Sequence, residues 1–73
     1  MTRLTTKRIL RAINDPCLSL YEGDGYWYFV FDDMEASGAY DTRVVNVYRL
    51  KHLSLKEWIR EGRGFAAEVR GRA

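Results

Sequence analysis

The chain has 73 residues, 47% of them hydrophobic and ten aromatic (two Trp, five Tyr, three Phe), and its twelve basic and ten acidic side chains leave a formal net charge of +2. This length supports a single domain that buries only about 60% of the surface its unfolded form exposes, and one cysteine, Cys17, excludes a disulfide scaffold and points to a reducing compartment. No run approaches the ~18 to 20 apolar residues of a membrane span, and the opening MTRLTTKRILRAIND lacks the apolar core of a signal peptide, so a cytoplasmic protein is expected.

With neither disulfide nor metal staples in the sequence, a dense aromatic core or self-association must supply the stability that a chain of this size lacks. No repeat, linker or low-complexity tract interrupts the stretch from about Thr5 to Val69, which reads as one unit of α-β-β-β-α order in the α+β class. Residues Arg70 to Ala73 are expected to fray.

A first helix is predicted from Thr5 or Thr6 as N-cap, with Ile9, Leu10 and Ile13 on one face and Pro16 beyond its end. Strands at Cys17 to Glu22 and Tyr26 to Phe31 flank Gly23-Asp24-Gly25, where either two-residue turn offers the positive φ angles of a tight hairpin. With Asp24-Gly25 as the turn, Leu20 faces Phe29 and Leu18 faces Phe31; with Gly23-Asp24 the partners become Trp27 and Phe29. Both registers put Leu18, Leu20, Trp27, Phe29 and Phe31 on one face, and Ser19, Tyr21, Tyr26, Tyr28 and Val30 on the other.

The polar stretch Asp32 to Thr42 reads as a loop, followed by a third strand at about Arg43 to Leu50. Its buried residues are expected to be Val45 and Val47, because the alternate face would bury Asn46, and that choice places Tyr48 beside the other tyrosines. Ser54 and Glu57 spell a capping box, with Leu53 placed to staple against Trp58. From there Leu55, Trp58, Ile59, Gly62, Phe65, Ala66 and Val69 recur at helical spacing as a docking stripe. Gly62 lies on that stripe, which suggests either close approach to the sheet or a kink. Both helices are expected on one face of a three-stranded antiparallel sheet, leaving the tyrosine face open.

Catalysis has little to build on. His52 and Cys17 are the sole imidazole and thiol, far apart along the chain and outside any recognised motif, and they read as a polar corner residue and a small buried hydrophobe. Asp32, Asp33, Glu35 and Asp41 do not have calcium-loop spacing, and Gly23 and Gly25 join strands instead of opening a phosphate-binding helix. The expectation is a non-enzymatic protein without a cofactor or metal.

Charge is segregated. Asp15, Glu22, Asp24, Asp32, Asp33, Glu35 and Asp41 lie in a stretch without one basic residue, whereas Arg3, Lys7, Arg8 and Arg11 make the first helix cationic. Beyond Asp41 the basic residues outnumber the acidic ones. The leading functional expectation is a protein-interaction module that works through Tyr21, Tyr26, Tyr28 and Tyr48, as a homodimer or as an acidic inhibitor of another protein. The same rings could serve only as cross-strand pairs that stabilise the sheet. The alternative is nucleic-acid binding through Arg3, Lys7, Arg8 and Arg11 and the Arg-rich end. The element order matches that of double-stranded-RNA-binding domains, but SLKEW stands where those carry lysines and the acidic hairpin would repel phosphate.

The segments GDGYWYFVFDD (Gly23 to Asp33) and VVNVYRLKHLSLKEWIREG (Val44 to Gly62) resemble a group of short uncharacterised bacterial proteins found in chromosomes, plasmids and prophages. The resemblance covers somewhat under half the chain. It implies a bacterial or mobile-element origin and carries no activity or functional residue with it.

Overall fold

Helix α1 (Thr6–Ile13) starts where Thr5, extended at φ −131° and ψ 161°, accepts a hydrogen bond from the Arg8 N–H through its side chain at 3.1 Å. The helix ends at Asn14, which turns left-handed (φ 58°) and returns its N–H to the Leu10 carbonyl at 2.9 Å. The structure is a computed structural model and describes residues 3–72. Strands β1 (Leu18–Glu22), β2 (Trp27–Asp33) and β3 (Ala39–Val45) follow, then a short 3-10 turn at Leu50–His52 and helix α2 (Leu55–Arg72). The sheet is antiparallel in the order β1-β2-β3. The protein is therefore α+β, with an open three-stranded sheet.

Asp24-Gly25 forms the first hairpin turn. The Gly23 N–H bonds the Tyr26 carbonyl at 2.8 Å, Leu20 pairs with Phe29 and Leu18 with Phe31. Of the two turn residues only Gly25 takes a positive φ, 81°. Gly23 is small for another reason: a Cβ there would stand 2.3 Å from the Tyr26 ring, which folds over it.

The second hairpin corrects the predicted third strand. Strand β2 runs on through Asp33, the loop shrinks to residues 34–38, and β3 occupies 39–45 instead of 43–50. Asp33 is the cause. Its carbonyl accepts from the Ser37 and Gly38 N–H groups at 3.0 Å each, its carboxylate accepts from the Ser37 hydroxyl at 3.0 Å, and Gly38 (φ 73°) completes the reversal. Val45 is buried as expected, and the strand stops there in a tight turn in which the Val47 N–H bonds the Val45 carbonyl at 2.9 Å. Val47 still packs against the core from outside the strand.

One face of the sheet carries that core. Leu18, Leu20, Phe29, Phe31 and Val45 meet Ile9 and Ile13 of α1 and Trp58, Phe65, Ala66 and Val69 of α2. The helix face is the predicted stripe, with Leu55 and Ile59 half-buried at its margin. The capping box forms in full, since Ser54 and Glu57 exchange backbone-to-side-chain hydrogen bonds at 3.1 Å each way. Trp58 is fully buried, and its indole N–H donates to the Leu50 carbonyl at 2.8 Å.

Gly62 answers to close approach: a Cβ there would lie 2.4 Å from Ile13 Cδ1 and 3.2 Å from the Phe29 ring. Helix α2 also continues past the point where fraying was expected. Arg70 pairs with Asp15 and Arg72 with Asp41, holding the last turn against the rest of the molecule; Ala73 lies outside the described residues.

Candidate functional site

Because both helices lie on the core face, the opposite face of the sheet is left without a covering layer among the described residues. Alternation along the strands brings Ser19 and Tyr21 of β1, Tyr28 and Val30 of β2, and Tyr40, Thr42 and Val44 of β3 to that face. Tyr21 and Tyr28 are directly paired across the strands with ring centroids 5.6 Å apart, and Tyr26 continues the row at 6.0 Å from Tyr28. Tyr21 is 50% exposed, Tyr40 58% and Val44 51%, so the face is wide and mostly uncharged. Asp32, opposite Tyr40, is the one ionic residue among its central positions.

Three of the four predicted tyrosines thus come together. Tyr48 does not join them. It follows the end of β3, its ring lies beside Gly25, and the guanidinium of Arg49 sits 5.9 Å from its centroid. The residues missing from the predicted site are Tyr40, lost when residues 39–42 were assigned to a loop, and Val44, which falls within the predicted strand on the side away from Val45 but was not counted in the site. The alternation Tyr40, Thr42, Val44 was the signal that could have revealed them.

The free edge of β3 has its own device. Asp32 donates its N–H to the Cys17 carbonyl, so even-numbered β2 residues bond β1, odd-numbered ones bond β3, and the amides of Tyr40, Thr42 and Val44 turn outward. The Thr42 N–H is taken by the Asp41 carboxylate at 2.8 Å, and Arg72 holds that carboxylate from the other side at 2.7 Å. The Arg72 hydrogen bond, followed by that of Thr42, lowers the Asp41 pKa below the usual carboxylate value. A fixed charge at this place discourages another strand from adding to the edge.

The alternative cationic set is dispersed. Lys7 and Arg11 are exposed on the outer side of α1, Arg8 is half-buried, and Arg3 stands at the hairpin-turn end of the sheet, beside a groove bordered by Tyr48 and Trp27. Neither sequence-level catalytic candidate gains a partner set. His52 accepts the Arg49 N–H through Nδ1 at 3.2 Å, at the β3-to-α2 corner, whereas Cys17 precedes β1 at the other end of the sheet. Among the described residues no three His, Cys, Asp or Glu side chains are grouped so as to hold a metal ion, and no helix is long and apolar enough to cross a membrane. Compared with family models, curated proteins and solved structures, the chain matches none.

Proposed function

We propose that this chain is a protein-interaction module whose working surface is the open sheet face, and that the surface it meets is the same face of a second copy. The observation that carries this reading is the contiguous, largely uncharged row formed by Tyr26, Tyr28 and Tyr21, extended across β3 by Tyr40 and Val44. Large exposed aromatic patches of this kind mark interaction sites on small soluble proteins, and tyrosine gives contact area at low entropic cost.

Area and charge argue for a second copy as the occupant. Exposed tyrosines and their neighbours offer roughly 600 to 700 Å² per chain, near the lower end of specific interfaces. A dimer of this modest area is expected at about micromolar strength. Face-to-face packing with a two-fold axis across the strands sets Asp32 of each copy over the tyrosine end of the other, where phenol hydroxyls can donate to it and no like charges meet. The short edge guarded by Asp41 directs association to the face and away from strand addition.

Sedimentation equilibrium tests this. A mass rising with concentration toward twice 8.5 kDa, insensitive to salt and abolished by Tyr28→Lys, is the expected result. A chain that stays monomeric at millimolar concentration, or a dimer that Tyr28→Lys leaves intact, refutes the reading.

A further inference from the structure

We propose that the groove at the hairpin-turn end of the sheet is a binding site for a nucleoside phosphate. This goes beyond the open-face reading and uses the other side of the sheet.

The groove exists because the helices stop short. Helix α1 begins only at Thr6 and α2 only at Leu55, so the core face near the turn is bordered by irregular segments, Arg3-Leu4 on one side and Tyr48 to Lys51 on another. Its volume is about 720 Å³, within the ~300 to 1,000 Å³ of small-molecule sites. Trp27, on the core-facing side of β2, is half-buried here instead of sealed, and its indole N–H is anchored to the Tyr48 carbonyl at 3.3 Å. Tyr48 is 65% exposed, and Gly25 beside it adds no side chain. Two aromatic side chains therefore stand at the groove, one of them pinned in place, and a planar heterocycle stacks on such surfaces.

Charge narrows the ligand further. Arg3, Arg49 and Lys51 all line the groove; Arg49 stacks on Tyr48, and none of the three belongs to an ion pair among the described residues. Unpaired cations beside an aromatic surface suit a phosphate attached to a ring system. Glu22 and Asp24 line the same groove. A bare anion would be repelled by them, but the hydroxyls of a ribose or the amine of a base supply donors that carboxylates accept. Ring, donors and phosphate in one molecule describe a nucleotide, either free or as the terminal unit of a strand.

Trp27 is the natural probe, since the other tryptophan, Trp58, is fully buried. Fluorescence of the full chain is titrated at low salt with adenosine monophosphate, with a 5′-phosphorylated oligonucleotide and with adenosine. Saturable quenching by either phosphate-bearing probe, with adenosine weaker by about tenfold, is expected. Response to the mononucleotide identifies a free ligand, and response only to the oligonucleotide identifies a strand end. Replacing the exposed pair, Arg3→Ala with Lys51→Ala, should weaken binding about fivefold to tenfold without changing the far-ultraviolet spectrum. Absence of saturable quenching by both phosphates, or equal affinity for adenosine, or an unaffected double variant, overturns the proposal and leaves the open-face reading untouched.

Discussion

Asp15 accepts two hydrogen bonds from the guanidinium of Arg70, at 2.6 Å and 3.0 Å, across a separation of 55 positions. The pair joins the link between α1 and β1 to the last turn of α2. It also lays the Arg70 guanidinium 4.9 Å from the centroid of Phe31, capping that end of the core with a planar cation. Its carboxylate side is shielded, at 12% exposure, while the arginine side is half in water.

The hydrogen bonds from Arg70 hold the Asp15 carboxyl below its usual pKa. A depressed folded-state pKa gives stability that is present above the unfolded value near 3.9 and is lost as pH falls through the folded one. Asp15→Asn should therefore cost about 1 kcal/mol at neutral pH and flatten the dependence of thermal stability on pH below about 4. Melting curves between neutral and acid pH check this; parallel curves for the variant and the parent chain would show that the pair contributes nothing.

Two glycines of α2 should respond in opposite directions to the same change. At Gly64 a Cβ meets nothing within 4 Å, so Gly64→Ala should add up to about 1 kcal/mol from helix propensity. At Gly62 the new methyl drives into Ile13 and Phe29, both in the packed core. Overpacking of about 1 to 3 kcal/mol offsets or exceeds the propensity gain, so Gly62→Ala should be neutral to destabilising. Urea denaturation of both variants decides it, and a stabilised Gly62→Ala would contradict the close-approach account.

Most of this fold was legible because local signals agreed with one another. Thr5, Ser54 with Glu57, and the turn at Asp24-Gly25 are chemical punctuation, and the alternating apolar residues of β1 and β2 fixed their faces whichever turn was used. The β3 boundary was illegible for a physical reason. Asp33 and Ser37 build their turn with side-chain hydrogen bonds, so a polar stretch that reads as one long loop contains both the end of a strand and the start of the next. That error hid Tyr40 and placed Tyr48 on a strand it does not occupy. Pairings such as Asp15 with Arg70 depend on tertiary approach and have no local signature.

The Asp41 edge guard predicts behaviour in acid. Asp41→Val frees the Thr42 amide and removes the charge held by Arg72, so the variant should aggregate on storage at neutral pH, with a rise in thioflavin fluorescence. Protonation of Asp41 has the same sense: since its folded pKa is lowered, the guard is intact above the ordinary carboxylate range and fails only as pH drops through the depressed value. Equal colloidal stability of variant and parent would remove this role from Asp41.

Trp58 couples the core to the connection before α2. Trp58→Phe keeps most of the apolar volume but removes one of the two donors to the Leu50 carbonyl, leaving the Leu53 N–H at 3.2 Å, at a cost of about 1 to 3 kcal/mol from the lost hydrogen bond and the incomplete filling. A domain of this size has a total stability of only about 4 to 11 kcal/mol. The variant should thus melt well below the parent, and an unchanged midpoint would mean that the Leu50 hydrogen bond is dispensable.

The open sheet face is proposed to meet its own copy, and amide chemical shifts followed on dilution read that contact residue by residue. Between about 1 mM and about 20 µM, a micromolar-strength dimer dissociates measurably. Shift changes should cluster on Tyr21, Tyr28, Val30, Thr42 and Val44 and spare α1 and α2. Changes centred on the helices, or spectra that do not move with concentration, would contradict it.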